Sequence, residues 1–234
     1  LQREATLWKQ LNHQYILPFL GLYTSEDATY MISPWMDNGD AFNYVIRHPE
    51  VDRLKLLLQV AEGVEYLHNR EPAIAHGDLR GPNIFISASG NARIADFGLS
   101  QIAAEFYPEN STVWQTGGNP RWRAPELLRA ETFEQARKTM PSDIFSFGRV
   151  MIELITGQVP FPDIRVPQAV QKKVQNYEQY PRPQTEEAIT RGLDETVWKL
   201  AEDCWLPQPE SRPGAAQVVQ RLSFAKETRD ALSV

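Results

Sequence analysis

The chain reads as an α+β protein whose two unequal parts share a cleft. Short helix and strand patterns mix in residues 1–36, and helical patterns dominate residues 37–234. The acidic and amide residues gather on tight turns between them, in "HGDLRGPN" (76–83) and "DFG" (96–98). At 234 residues, with 42% hydrophobic and 23% charged side chains, the chain can bury a core large enough for one domain or for two lobes around a groove.

The elements follow in order. "LQREATLWKQLNH" predicts a helix, because Leu1, Ala5, Trp8 and Leu11 fall on one stripe. "ATYMISPW" predicts a strand that stops at Pro34, which has no N–H for a ladder. "DNGD" (37–40) is a turn. Residues 51–68 keep the three-and-four spacing of an amphipathic helix through Leu54, Leu57, Leu58, Ala61, Val64 and Leu67. "NIFISASGNARIADFG" predicts two short strands around a Ser89-Gly90-Asn91 turn. "SDIFSFGRVMIELITG" is apolar on nearly every side, which predicts a buried central helix ended by Gly157. Two more helical stretches lie near 196–205 and 215–222, with proline-rich surface loops at 160–167, 181–183 and 207–213.

Composition narrows the chemistry. Twenty-four Lys and Arg against thirty Asp and Glu give a formal charge of -6, which argues against nucleic acid as a partner. The one cysteine, Cys204, rules out an intrachain disulfide and a cysteine zinc site, and fits a reducing, cytoplasmic setting. No apolar run approaches the roughly 20 residues that span a bilayer, so no membrane partner is expected in this segment.

What remains is an oxygen-rich cluster. Magnesium takes oxygen ligands and often only one or two from protein, the rest coming from phosphate and water. Asp96 offers a carboxylate and Asn83 an amide oxygen. Asp78, five positions before Asn83, can face the same space and accept a hydroxyl proton or orient a nucleophile. Arg80 is a permanent cation suited to phosphate oxygens. Each residue alone would be an ordinary turn former. Together they are the parts that phosphoryl transfer needs.

With these residues in hand, the sequence resembles the eukaryotic protein kinases along essentially its whole length. HGDLRGPN is similar to the catalytic loop H-R-D-L-x-x-x-N, and Asp96-Phe97-Gly98 to D-F-G. Ala124-Pro125-Glu126 is similar to A-P-E, and "CWLPQPESRP" to the C-W…P-x-x-R-P segment of tyrosine and tyrosine-kinase-like enzymes. The resemblance implies a two-lobed kinase fold, with a partial small lobe at 1–36 (helix, strands and hinge) and a large lobe at 37–234. It implies ATP and Mg2+ as cofactors and proteins as substrates. It makes Asp78 the catalytic aspartate and Asn83 and Asp96 the magnesium ligands. Glu4 would pair with the lysine that positions ATP. Pro34 and Met36 would bracket the adenine-binding hinge after Ser33. Asp40 would meet the ribose, and Phe85 would lie under the adenine. Glu126 and Arg212 would form a buried ion pair. Trp8, Phe19, Phe97 and His76 would stack between the lobes, with Asp143 as their anchor.

Departures from the family pattern shape the expectation. No G-x-G-x-x-G occurs, and no lysine strand precedes Glu4. The start at Leu1 therefore reads as that of a fragment, which alone would bind ATP poorly and turn over little. Gly77 replaces the loop arginine that receives a phosphorylated residue, so phosphorylation of Ser111, Thr112 or Thr116 is expected to be unnecessary. Arg80 stands where many serine/threonine kinases carry lysine. Asn119 stands where they carry threonine, and could still bond Asp78. Pro120, directly before Arg121 and Trp122, favours serine/threonine specificity of the tyrosine-kinase-like group. A pseudokinase-type binding module is the alternative, and a small-molecule phosphotransferase of the aminoglycoside or choline kind is a remoter one.

Overall fold

A computed structural model of the chain describes residues 2–98, 100–102 and 118–232. Ser111, Thr112 and Thr116 lie outside them. α1 (Gln2–Trp8) buries Ala5, Leu7 and Trp8, and the Trp8 indole donates to the Leu17 carbonyl at 2.5 Å. β1 (Gly21–Thr24) and β2 (Thr29–Ile32) form an antiparallel hairpin with Gly21 opposite Ile32. β2 is the strand expected before Pro34. β1 gave no signal in the sequence, because it is four residues long and exposed after Gly21.

α2 (Ala41–Arg47) begins at Asp40, whose carboxylate accepts the Asn43 N–H at 2.9 Å. α3 (Arg53–His68) starts two residues later than the periodicity predicts, because Asp52 takes the N-cap and accepts the Lys55 N–H at 2.9 Å. Arg53 is buried in its first turn and donates to the carbonyls of Val45, Pro49 and Val51 at 2.8–2.9 Å. Those bonds tie the end of α2 to the start of α3. Burial lowers the Arg53 pKa to about 10, so it stays charged at neutral pH.

Four short strands follow: β3 (Ile74–Ala75), β4 (Ile84–Ile86), β5 (Ala92–Ile94) and β6 (Gln101–Ile102). β3 pairs antiparallel with β6, and β4 with β5 in the register Ile84 to Ile94. The β4–β5 hairpin turns at Gly90, where φ is 75°. It is the hairpin read from the Ser-Gly-Asn turn.

α4 (Pro125–Leu128) leads to the central helix, α5 (Met140–Thr156). Thr139 and Ser142 close a reciprocal capping box at its start. Gly157 ends it in the left-handed region at φ 71°, a conformation costly for residues with a Cβ. Every position from 142 to 155 is buried. Full burial stabilises by about 1.5–3 kcal/mol for each large apolar side chain, and α5 alone carries Phe147, Ile152 and Leu154 at 1% exposure or less.

α6 (Pro167–Gln175), α7 (Glu186–Thr190), α8 (Glu195–Cys204) and α9 (Ala215–Leu232) complete the helical mass. The expectation of loop through Pro167 is corrected here: Pro167 opens α6, since the first helical position needs no N–H. α9 runs ten residues past the predicted end at Leu222 and packs along α3. Among the described residues no helix is long and apolar enough to cross a membrane.

Candidate active site

The β4–β5 hairpin and the loops beside it position the acidic cluster. Asp78 and Arg80 lie on the loop after β3. Asn83 ends a single 3-10 turn at Gly81–Asn83 and leads directly into β4. Its amide donates to the Asp78 carboxylate at 2.8 Å and to the Asp78 carbonyl at 2.9 Å. Both donations use Nδ2, which leaves the amide oxygen for a cation. Arg80 Nε lies 3.2 Å from the same Asp78 oxygen, and its side chain is 31% exposed. The pair holds a positive charge at the mouth of the site.

Asp96 follows β5. The Ala95 N–H donates to the Asn83 carbonyl at 2.9 Å, so the hairpin register sets Asp96 one residue beyond the partner of Asn83. Asp96 takes φ 64°, a left-handed conformation in which aspartate is enriched, and its side chain is exposed. Glu4 faces it from α1. A Cβ added at Gly98 would lie 3.3 Å from Asp96 Oδ1 and 3.5 Å from Glu4 Oε2, so both carboxylates border that glycine. Partial burial, then the charge of Asp96, hold the Glu4 carboxyl above its usual range. Such a pair favours a cation between or beside its members. Among the described residues no group of three His, Cys, Asp or Glu forms a metal cage. A carboxylate with one amide oxygen suits a hard cation that draws its other ligands from phosphate and water.

The proposed nucleotide contacts lie on the adjoining backbone. Asp40 and Phe85 form an antiparallel bridge, and the Ile86 N–H donates to the Gly39 carbonyl at 2.8 Å. The Asp40 carboxylate is engaged by the backbone and side chain of Asn43 at 2.9 and 2.8 Å. Phe85 packs partly buried against the core. Pro34 lies two residues beyond β2, and Met36 is buried beside the turn, its carbonyl accepting the Gly39 N–H at 3.0 Å.

A continuous aromatic column runs behind the cluster. Phe19 meets Trp8 at 5.3 Å between ring centroids, Trp8 meets Phe97 at 5.9 Å, and Phe97 meets His76 at 5.2 Å. Asp143 on α5 then holds the loop, accepting the His76 N–H at 2.7 Å and the Gly77 N–H at 2.8 Å, with His68 Nε2 3.0 Å away. Gly77 takes φ 80°, which glycine allows without strain. The Asp78 loop is thus fixed to the most buried helix of the molecule.

The segment after residue 117 closes the site from the other side. Gly118 approaches Asp78, whose Oδ1 would lie 3.5 Å from an added Cβ. Asn119 does not bond Asp78 as the sequence allowed; its oxygen accepts the Arg121 N–H at 3.1 Å and so shapes the turn. Arg121 donates to the carbonyls of Pro160 and Phe161 at 2.5 and 2.6 Å. Glu126 and Arg212 form the two-pronged ion pair at 2.7 and 2.9 Å, and Arg212 also donates to the Pro141 and Leu206 carbonyls at 2.9 Å.

Three charged residues of this region were missed in the sequence. Glu153 on α5 is fully buried and accepts from the Gly81 N–H at 2.8 Å and the Trp122 indole at 2.9 Å. It joins the catalytic loop to the segment after Asn119. Burial pushes its carboxyl up to about 7, against those two hydrogen bonds. Arg123 and Lys138 are buried near Asp78; burial, then the charge of Arg123, draws the Lys138 ammonium down to about 8. The available signal was an acid or a base inside an otherwise apolar run, as Glu153 is within "VMIELI".

Known proteins agree with this arrangement. Residues 1–224 match the family described as protein kinase domain. The serine/threonine-protein kinase CTR1 of Arabidopsis thaliana is 31% identical over 94% of this chain and 26% of its own length. The serine/threonine-protein kinase TNNI3K of Homo sapiens is 28% identical over 94% of this chain and 25% of its own. A putative serine/threonine-protein kinase/receptor, R831 of Acanthamoeba polyphaga mimivirus, is 30% identical over 97% of this chain and 13% of its own. The chain spans about a quarter of the length of the first two and less of the third. The chain belongs to the protein kinase domain family.

Proposed function

We propose that the protein carrying this chain transfers the γ-phosphoryl group of ATP to serine or threonine hydroxyls of protein substrates, with magnesium. The observation that carries this reading is the Asn83–Asp78 hydrogen bond at 2.8 Å beside the Asp96 turn. It sets a proton acceptor next to an amide oxygen and a carboxylate that suit a cation. When bound, the magnesium nucleotide supplies the phosphoryl group and neutralises its charge. Asp78 orients the substrate hydroxyl and accepts its proton. Asn83 and Asp96 hold the cation, and Arg80 faces the phosphate oxygens from the mouth of the site. Glu4 contributes a second carboxylate for the lysine or cation that positions the phosphates. Pro34, Met36, Asp40 and Phe85 supply the surfaces for base and ribose.

Serine/threonine specificity is supported by the Pro120-Arg121-Trp122 order and by the printed names of the relatives. The test uses the full-length protein with magnesium and γ-labelled ATP, followed by phosphoamino acid analysis of a mixed protein substrate. Phosphoserine and phosphothreonine are expected. Phosphotyrosine alone would overturn the specificity, and no incorporation would favour a module that acts by binding.

A further inference from the structure

The central helix carries a buried charge that the site described above does not use. Arg149 on α5 is 3% exposed. The rings of Phe145, Phe161, Tyr180 and Trp205 stand 4.6–5.2 Å from its guanidinium carbon. Aromatic faces attract the cation but accept nothing from the N–H groups at its edge in the way that an oxygen does. Nε and Nη1 are sealed from solvent without an acceptor, and among the described residues no other side chain has two such nitrogens. Burial draws its pKa down to about 10, so the group is still a cation at neutral pH. Buried charges are ordinarily paired and hydrogen-bonded, and one that is not asks for an explanation.

Arg149 lines a cleft of about 200 Å³ between α5, the end of α6 and α8. Val174, Tyr177 and Trp205 give it apolar walls. Two of the three non-glycine residues at positive φ among those described, Phe161 and Tyr177, both at 57°, border this region; the third is Asp96. Backbone strain of this kind gathers at ligand sites. Glu178, Glu202 and Lys199 also line the cleft. Glu178 is paired with Lys173, and Lys199 lies 3.1 Å from Asp203. The lining therefore offers one buried cation among apolar walls, with acids that oppose a doubly charged anion.

We propose that this cleft binds a small monocarboxylic acid with an apolar body, its carboxylate accepting from the Arg149 guanidinium. The carboxylate supplies the missing acceptor, and the body covers the ring walls. Phosphate is disfavoured because a second negative charge meets Glu178 and Glu202. The inference does not depend on phosphoryl transfer.

Phenylacetate is the probe, titrated into the full-length protein by calorimetry. Saturable one-site binding is expected. Methyl phenylacetate has the same body without the charge, and it and inorganic phosphate should each bind at least tenfold more weakly. Arg149→Met should lose at least tenfold in phenylacetate affinity. The proposal is overturned by no saturable binding, by equal binding of the ester or of phosphate, or by unchanged affinity in a folded Arg149→Met protein. A short peptide with an internal aspartate between apolar residues, if it bound more than tenfold tighter than phenylacetate, would also overturn it, since the carboxylate would then come from a protein. If Arg149→Met does not fold, the acid and ester comparison on the unmodified protein still decides.

Discussion

Asn83 donates through its amide to the Asp78 carboxylate at 2.8 Å, and the same nitrogen reaches the Asp78 carbonyl at 2.9 Å. One side chain thereby fixes the rotamer of the proton acceptor and turns its own oxygen to the side where a cation can bind. Asn83 is 5% exposed, so this arrangement is shielded from competing water.

Replacing Asn83 with alanine removes both functions at once. In the full-length protein, Asn83→Ala is expected to lower the phosphoryl transfer rate by about 100-fold or more, in line with the loss of a positioning or acid–base group. The melting temperature should change little, since the contact is a small part of the core. Steady-state kinetics with a thermal melt check this. A rate within threefold of the unmodified protein would contradict the assignment.

The Glu126–Arg212 pair predicts an asymmetry. The Arg212 side chain is fully buried while that of Glu126 is 28% exposed. Glu126→Ala strands the buried guanidinium and should destabilise by about 3–5 kcal/mol. Glu126→Ala combined with Arg212→Met should recover part of that loss, because no charge is left unpaired. Urea unfolding of the single and double variants measures both. Additive losses would show that the pair is not coupled as described.

Glu153 predicts a pH dependence. Its carboxyl titrates at about 7 in the fold against a reference of 4.5, so the folded state favours the protonated form. Its contribution to stability is fully present below 4.5 and is lost as pH rises through 7. Between those values the unmodified protein should lose roughly 3 kcal/mol relative to Glu153→Gln, which cannot titrate. Parallel stability curves for the two proteins from pH 4.5 to 8 would contradict this.

Gly81 is required by close approach. A Cβ there would lie 2.9 Å from both Glu153 Oε1 and Phe42 Cβ. Gly81→Ala should cost about 1–3 kcal/mol through overpacking, read from the urea midpoint. An unchanged midpoint would show that the loop relaxes freely.

Much of this arrangement was legible in the sequence, for physical reasons that differ by element. α5 announces itself because its surroundings are apolar in every direction and its end needs a left-handed residue, Gly157. The β4–β5 hairpin is written in its turn. α6 was hidden because a proline was read as the end of a loop, whereas Pro167 sits where a helix begins. The last ten residues of α9 were hidden because their helical state rests on packing along α3 rather than on an apolar stripe. In the site, Asp78, Asn83 and Asp96 stand out because turn residues of that kind recur at a known spacing. Glu153, Lys138 and Arg149 do not, because their positions are defined by partners distant in the chain. A lone charge within an apolar run was the signal for Glu153 and Arg149, and reading it as such would have found both.

The central claim is that Asp78 accepts the proton of a substrate hydroxyl while Asn83 and Asp96 hold the cation beside it. The most direct test is the single-turnover rate of phosphoryl transfer by Asp78→Asn in the full-length protein, at saturating magnesium nucleotide. A fall of about 100-fold or more with nucleotide affinity within threefold is the expected result, since a general base of this kind contributes roughly two to four orders of magnitude. Transfer at an unchanged rate would contradict the account.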